Sequence, residues 1–165
     1  MSLQLSRNGA TILPAGVNNF VNMTQFKSTV KRINAPRKPV HGFLSDINNL
    51  GKLVPDGSVS DLEVSDDLCR FTVDGIGNVG IRKVPFAGEN VIRFESEGSR
   101  PFSFDLDIEL NDAPGNNTEL RLVLSAKLNA MMRMMASKPI QDGVEIIASM
   151  LSDELNSRQI DTAGG

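Results

Sequence analysis

Between Phe102 and Leu110 the sequence FSFDLDIEL alternates without a break. Phe102, Phe104, Leu106, Ile108 and Leu110 share one parity, and Ser103, Asp105, Asp107 and Glu109 the other. Successive side chains of a β-strand point to opposite faces, so this is a strand with one apolar and one acidic face. After the loop NDAPGNN the pattern returns in ELRLVLSAKL, where Leu120, Leu122, Leu124, Ala126 and Leu128 alternate with Arg121, Val123, Ser125 and Lys127. A hairpin of the two sets acids against bases on its outer face, each pair worth roughly 0.2–1 kcal/mol. A register that places Asp107 or Glu109 near Arg121 uses this. The apolar face must cover something, either a solid core or a cavity for a small guest.

The remaining elements follow from the same periodicities. QFKSTVKRI alternates Phe26, Ser28 and Val30 against Lys27, Thr29 and Lys31, a first strand that NAPRKPV ends, because proline cannot continue a ladder. Val40, Phe43, Leu44 and Ile47 recur at helical spacing, which predicts one or two short helices running to about Leu53. VPDG is a turn. Val59 to Ser65 is a strand with Leu62 and Val64 opposite Asp61 and Glu63. Cys69, Phe71 and Val73 alternate with Arg70, Thr72 and Asp74 in the next. Turns at DGIGN and PFAGEN lead into strands over Val79–Val84 and Val91–Ser96, the latter with Ile92 and Phe94 on one face. At the end, Ile140, Val144, Ile147, Ala148, Leu151 and Leu155 form one continuous apolar stripe on a long helix. Pro139 is read in its first turn and Ser137 as its N-cap, with LNAMMRMMASK as a preceding turn or a kinked first segment.

A length of 165 residues favours one domain. Residues 1–22 show no clear period and are read as an extension, a leader or an over-extended start, leaving a domain over 23–160 and a tail over 161–165. The single cysteine, Cys69, and single histidine, His41, exclude an internal disulfide, a cysteine-based zinc cluster and most histidine-rich metal sites. Neither a metal nor a cofactor is expected. No apolar run approaches the roughly 20 residues needed to cross a bilayer. No basic start precedes an apolar stretch, so the expectation is a cytoplasmic protein without integral membrane contact. Net charge is −3, yet every acid lies after residue 45, behind Arg7, Lys27, Lys31, Arg32, Arg37 and Lys38. This is read as a basic first strand lying beside acidic neighbours, Lys27 and Lys31 against Asp61 and Glu63, and no nucleic-acid partner is expected.

The order is one strand, short helices, a run of antiparallel strands and one long terminal helix. With FKSTVKRINAP followed by VHGFLSDINNLGKLVP, the hairpin DGIGNVGI, and AKLNAMMRMMASKPIQDGVEIIASML, the chain from Gln25 to Leu155 resembles the START-like (SRPBCC) superfamily. The resemblance implies an α+β helix-grip fold: a curved antiparallel sheet of about seven strands wrapped around the C-terminal helix, with two short helices after the first strand. It also implies a cavity between sheet and helix. Members of that superfamily bind lipids, sterols, polyketides or plant hormones there; others are cyclases, ring-hydroxylase domains or co-chaperone domains, and the fold does not choose among them.

For such a cavity the inward parity nominates Phe71, Ile81, Phe94, Phe102, Phe104 and Leu106 from the sheet, with Leu122 and Leu124 from the last strand. Phe43 joins them from the short helices, and Ile140, Val144 and Ile147 from the terminal stripe. Met131, Met134 and Met135 are nominated as an adaptable wall or lid, since methionine fits varied apolar partners. The alternative for these methionines is core filling with some side chains exposed. Tyrosine and tryptophan are absent, so few polar groups are left to orient a guest. Lys83 shares the parity of Val79 and Ile81. It would anchor a ligand carboxylate if inward, but a bulge or fraying near Pro85 is expected to turn it out. Arg133 is expected to reach water. His41 falls at the edge of its helix stripe and Cys69 on a buried parity as an inert thiol. GIGNVG, Gly75 to Gly80, has the glycine spacing of a dinucleotide loop but precedes a strand, which makes it a hairpin turn. Asp105, Asp107 and Glu109 read as a solvated outer face.

The functional expectation is a small hydrophobic molecule, lipid-like or polyketide-like, held by a carrier or sensor. A cyclase- or dehydratase-type enzyme using His41, Lys83 or Arg133, and an interaction module with a filled core, are the alternatives. The sequence leaves the oligomeric state open.

Overall fold

The computed structural model describes residues 23–53, 60–73, 77–85, 87–98 and 102–158. Expectations on residues 1–22, the VPDG turn, Val59, Asp74 and the 161–165 tail lie outside these. The chain runs β1 (Met23–Lys27), β2 (Lys31–Ile33), α1 (Arg37–Leu44), α2 (Ile47–Leu53), β3 (Ser60–Ser65), β4 (Leu68–Val73), β5 (Gly77–Lys83), β6 (Val91–Ser96), β7 (Phe104–Ala113), β8 (Asn117–Lys127) and α3 (Ala130–Ser157). The strands form one curved antiparallel sheet in the order β1-β8-β7-β6-β5-β4-β3, with β2 continuing along the β8 edge. Its inner face and α3 enclose the core, in which Phe94, Leu110, Leu120, Leu122, Leu128 and Leu155 are fully or almost fully buried.

The hairpin that opened the sequence reading adopts the charge-matched register, with Glu109 opposite Arg121 and their side chains 2.7 Å apart. Asp107 is gripped by Arg93 on β6, in a two-point contact of 2.7 and 2.8 Å. These carboxylates form an outer-face ladder of ion pairs, as their parity implied. The strand itself starts at Phe104 rather than Phe102; Phe102 precedes it, buried, with its ring 5.8 Å from that of Phe104.

Three expectations are corrected. The first strand is two, which makes the sheet eight-stranded. Ser28 causes the break: its N–H donates to the Leu122 carbonyl at 2.9 Å and its Oγ accepts the Leu122 N–H at 3.0 Å. One side chain thus replaces a backbone carbonyl, and the strand gains a residue there. Parity flips after it. Val30, expected inside, is 54% exposed, while Lys31 and Ile33 share a face with Leu120 and Thr118 of β8. Second, Lys27 and Lys31 do not lie beside Asp61 and Glu63, because β1 and β2 flank β8 while β3 is at the opposite end of the sheet. The flip turns Lys31 toward α3, where it meets Glu145 at 2.8 Å. Third, α3 starts at Ala130, not near Ser137. Asn129 caps it by accepting the Met132 N–H at 2.8 Å, and the expected kinked segment is its first two turns. Pro139 is therefore interior, and its missing N–H leaves the Met135 carbonyl without its helical donor.

One side of α3 is fastened to the broken edge strand. Gln141 donates to the Lys27 carbonyl at 2.8 Å. Glu145 accepts from the Thr29 N–H at 2.8 Å and the Thr29 hydroxyl at 2.7 Å. Asn156 accepts from the Asn34 N–H at 2.8 Å and donates to the Arg32 carbonyl at 3.0 Å. The Lys31 ammonium, then the Thr29 hydroxyl and N–H, hold the Glu145 carboxyl down at about 2. The break at Ser28 is what frees the Thr29 groups to serve it.

Candidate functional site

The main partners of α3 are β8, β1 and β2, the fastened side. On its other side, facing β4 and β5, the helix and the sheet do not close on each other. An apolar slot lies between them in two adjoining compartments of about 120 and 110 Å³. Phe71, Ile81, Leu106 and Ile147 border both. The first is completed by Val79, Phe102, Phe104 and Leu124 from the sheet, and by Pro139, Ile140, Gly143 and Val144 from the helix. The second runs past Cys69, Phe94, Ile108 and Leu122 toward Leu50, Leu62, Met150 and Leu151. Ile147 and Leu62 are 40% and 39% exposed, so the slot reaches solvent along this edge.

Most of the nominated sheet and helix positions meet at this slot: Phe71, Ile81, Phe94, Phe102, Phe104 and Leu106, then Leu122 and Leu124, then Ile140, Val144 and Ile147. Phe43 does not. It packs at the core margin, with the Arg158 guanidinium 5.8 Å from its ring centre. Met131, Met134 and Met135 are also off the slot, on the outward face of α3. The methionine that meets the core is Met132, which with Ala136 lies on the inner side of the helix. The three polar candidates lie outside both compartments. His41 bridges α1 to the turn at Gly88, its Nε2 3.2 Å from the Gly88 carbonyl and its Nδ1 3.2 Å from the Ser45 hydroxyl. Arg133 is exposed. Lys83 is not turned out by a bulge: β5 and β6 stay in register through Ile81–Ser96, Arg82–Glu95 and Lys83–Phe94. It keeps the inward parity but is half-exposed at the end of its strand, beyond the slot walls.

Among the described walls, Cys69 carries the one titratable side chain. Burial pushes its thiol above the usual cysteine range, so it stays neutral. The walls therefore offer apolar surface, worth roughly 25 cal/mol per Å² when shielded from water, and no charged anchor among the described lining residues. Larger hollows elsewhere are surface depressions of different character; one of about 460 Å³ is lined by Asp61, Glu63, Arg70, Thr72, Asn78 and Glu97 among others. GIGNVG ends in strand β5, with no helix to hold a pyrophosphate.

The sequence reading missed Gly143. A helix-interior glycine costs roughly 1 kcal/mol relative to alanine. A Cβ at this position would meet nothing within 4 Å, so the glycine leaves room where its neighbours Ile140, Val144 and Ile147 border the slot. The legible signal was a glycine at stripe spacing, three residues after Ile140. Pro139 and Val79 were missed too, as were Leu50, Leu62, Cys69, Ile108, Met150 and Leu151 of the second compartment.

No protein-family model matches the chain, and no curated protein matches it in sequence. Solved structures do match. Norcoclaurine synthase from Thalictrum flavum, in complex with dopamine and hydroxybenzaldehyde, superposes with a TM-score of 0.66 at 12% identity, over 92% of this chain and 95% of that one. The protein TTHA0849 from Thermus thermophilus gives 0.62 at 21% identity, over 81% and 98%. The Aha1 dimer from Colwellia psychrerythraea gives 0.58 at 14% identity, over 81% and 96%. At these identities the likeness is one of fold.

Proposed function

Taking as premise that the chain has the helix-grip fold of the START-like superfamily, we propose that it binds a small hydrophobic molecule between sheet and C-terminal helix, as a carrier or sensor. The observation that carries this is the apolar slot beside Gly143, left open where a side chain would have fitted. Its size narrows the guest. A dry apolar cavity of about 150 Å³ holds a benzene-sized molecule, while drug-sized ligands need about 300–1,000 Å³. Two compartments of about 120 and 110 Å³ in line suit one or two rings, or a short chain, of polyketide-like or lipid-like character. Norcoclaurine synthase, of the same fold, holds small ring compounds. Binding without chemistry is favoured over a cyclase because His41, Lys83 and Arg133 stand outside the walls. A filled-core interaction module is disfavoured by the slot itself.

The test is mass spectrometry of protein purified under native conditions and then denatured. An apolar compound of one or two rings should be released from the wild type and be missing from Gly143→Leu, whose side chain fills the first compartment. Equal retention by both proteins would place the guest elsewhere.

A further inference from the structure

The two compartments of the slot meet at a waist. Phe71 on β4, Ile81 on β5, Leu106 on β7 and Ile147 on α3 border both. The three sheet residues sit on regular ladders, with Phe71 opposite Val79, Ile81 opposite Cys69 and Leu106 opposite Phe94. Ile147 is the described helix residue that closes the waist from the other side. The outline of α3 explains why. At Gly143 the helix has no side chain, and an added Cβ would meet nothing within 4 Å. One turn on, Ile147 carries a branched side chain that holds one preferred χ1 rotamer in a helix. Met150 follows, unbranched and adaptable. The gap is therefore wide at Gly143, narrow at Ile147 and wide again before Met150. Gly143 and Met150 are about 10 Å apart along the helix axis.

We propose that Ile147 sets the specificity of the slot, and that the guest is an uncharged two-lobed molecule: two apolar groups, each about the size of one ring, joined by a narrow saturated link that passes Ile147. This rests on the reading that the slot holds a guest, and narrows which guest. A fused ring system, equally wide along its length, would strike Ile147 at the middle. An apolar pocket discriminates roughly 10–200-fold for one methylene too many or too few, so a stiff branched side chain at the waist is enough to choose. The lobes carry no charge, because the titratable group in the described walls is the neutral Cys69 thiol. The first lobe meets Phe102 and Phe104, whose rings lie 5.8 Å apart and tilted by 60°, so it can pack edge or face against an aromatic wall. The second meets the softer side chains Cys69 and Met150.

The test is equilibrium dialysis of the full chain against three hydrocarbons. Bibenzyl has two phenyl rings joined by a two-carbon link. Dihydrophenanthrene is the same skeleton with one further bond that locks the rings together and removes the narrow middle. Toluene is a single ring. Wild type should bind bibenzyl at least about tenfold more tightly than dihydrophenanthrene. Ile147→Ala widens the waist and should bring that ratio below about threefold, by a gain for dihydrophenanthrene. Toluene, which fits one compartment, should change by less than about threefold, and this separates a waist from a general loosening of the slot. The exposed rim position of Ile147 lets the variant fold. Equal binding of the two larger compounds by wild type overturns the proposal, as does a ratio that Ile147→Ala leaves unchanged. Binding of toluene without bibenzyl overturns it too, since the compartments would then not be joined, and leaves the slot reading standing. Binding of none of the three overturns the slot reading together with this one.

Discussion

On the side of β1 and β2, α3 is fastened by polar side chains that reach backbone groups: Gln141, Glu145 and Asn156. On the side of β4 and β5 it faces apolar walls across a gap. The same helix is thus fixed along one edge and free along the other, and the difference lies in what each edge strand offers. The break at Ser28 leaves the Thr29 N–H for a helix side chain to bond, while the Thr29 carbonyl accepts from the Ser28 hydroxyl. The regular strands β4 and β5 pair their backbone groups with each other and present only side chains. Directional bonds set the helix's distance from the sheet at one edge, whereas the described residues of β4 and β5 meet it only with apolar side chains across a gap. A cavity follows at the second without being carved into the core.

The contrast breaks most sharply in core truncations. Leu120→Ala, fully buried on β8, should cost about 2–5 kcal/mol. Ile147→Ala, at the rim of the slot, should cost under about 1 kcal/mol because its side chain is already 40% exposed. Urea melts of the two would check this, and equal losses would mean the slot closes in solution. Next in size is Glu145→Gln, which loosens the fastened edge. Its carboxyl is lowered from 4.5 to about 2, so its contribution is full above the ordinary carboxylate range and fades as pH falls toward 2. The group is partly exposed, so a loss of about 1–2 kcal/mol is expected at pH 7. The gap between wild type and variant should narrow steadily below pH 4.5 in a series of melts. The smallest effect on stability belongs to Gly143→Leu on the free edge: a gain of about 0.5–1 kcal/mol from helix propensity, with guest release abolished. A clear loss of stability there would show that the space beside Gly143 is occupied.

Much of this was legible along the chain. The alternation in FSFDLDIEL and ELRLVLSAKL gave two strands, their inner faces and their charge register, because strand parity and cross-strand pairing are local rules. The stripe from Ile140 to Leu155 gave the helix and the side it buries. What misled was a single extra residue at Ser28. Parity readings propagate, so the bulge reversed the expected faces of Val30 and Lys31 and hid the contact with Glu145. Met131, Met134 and Met135 misled for another reason. Hydrophobicity suggests burial only while there is sheet to bury against, and the first turns of α3 reach it through Met132 and Ala136 alone.

The residues by themselves determined the order of elements, the sheet's inner face and the chemistry of the slot's walls, since each follows from neighbours two to four positions apart. Whether those walls touch was decided only in three dimensions. That depends on where a helix more than a hundred residues downstream is tied to the first strand, through bonds such as Gln141 to Lys27 and Glu145 to Thr29. No local pattern encodes a distance between surfaces so far apart in the chain.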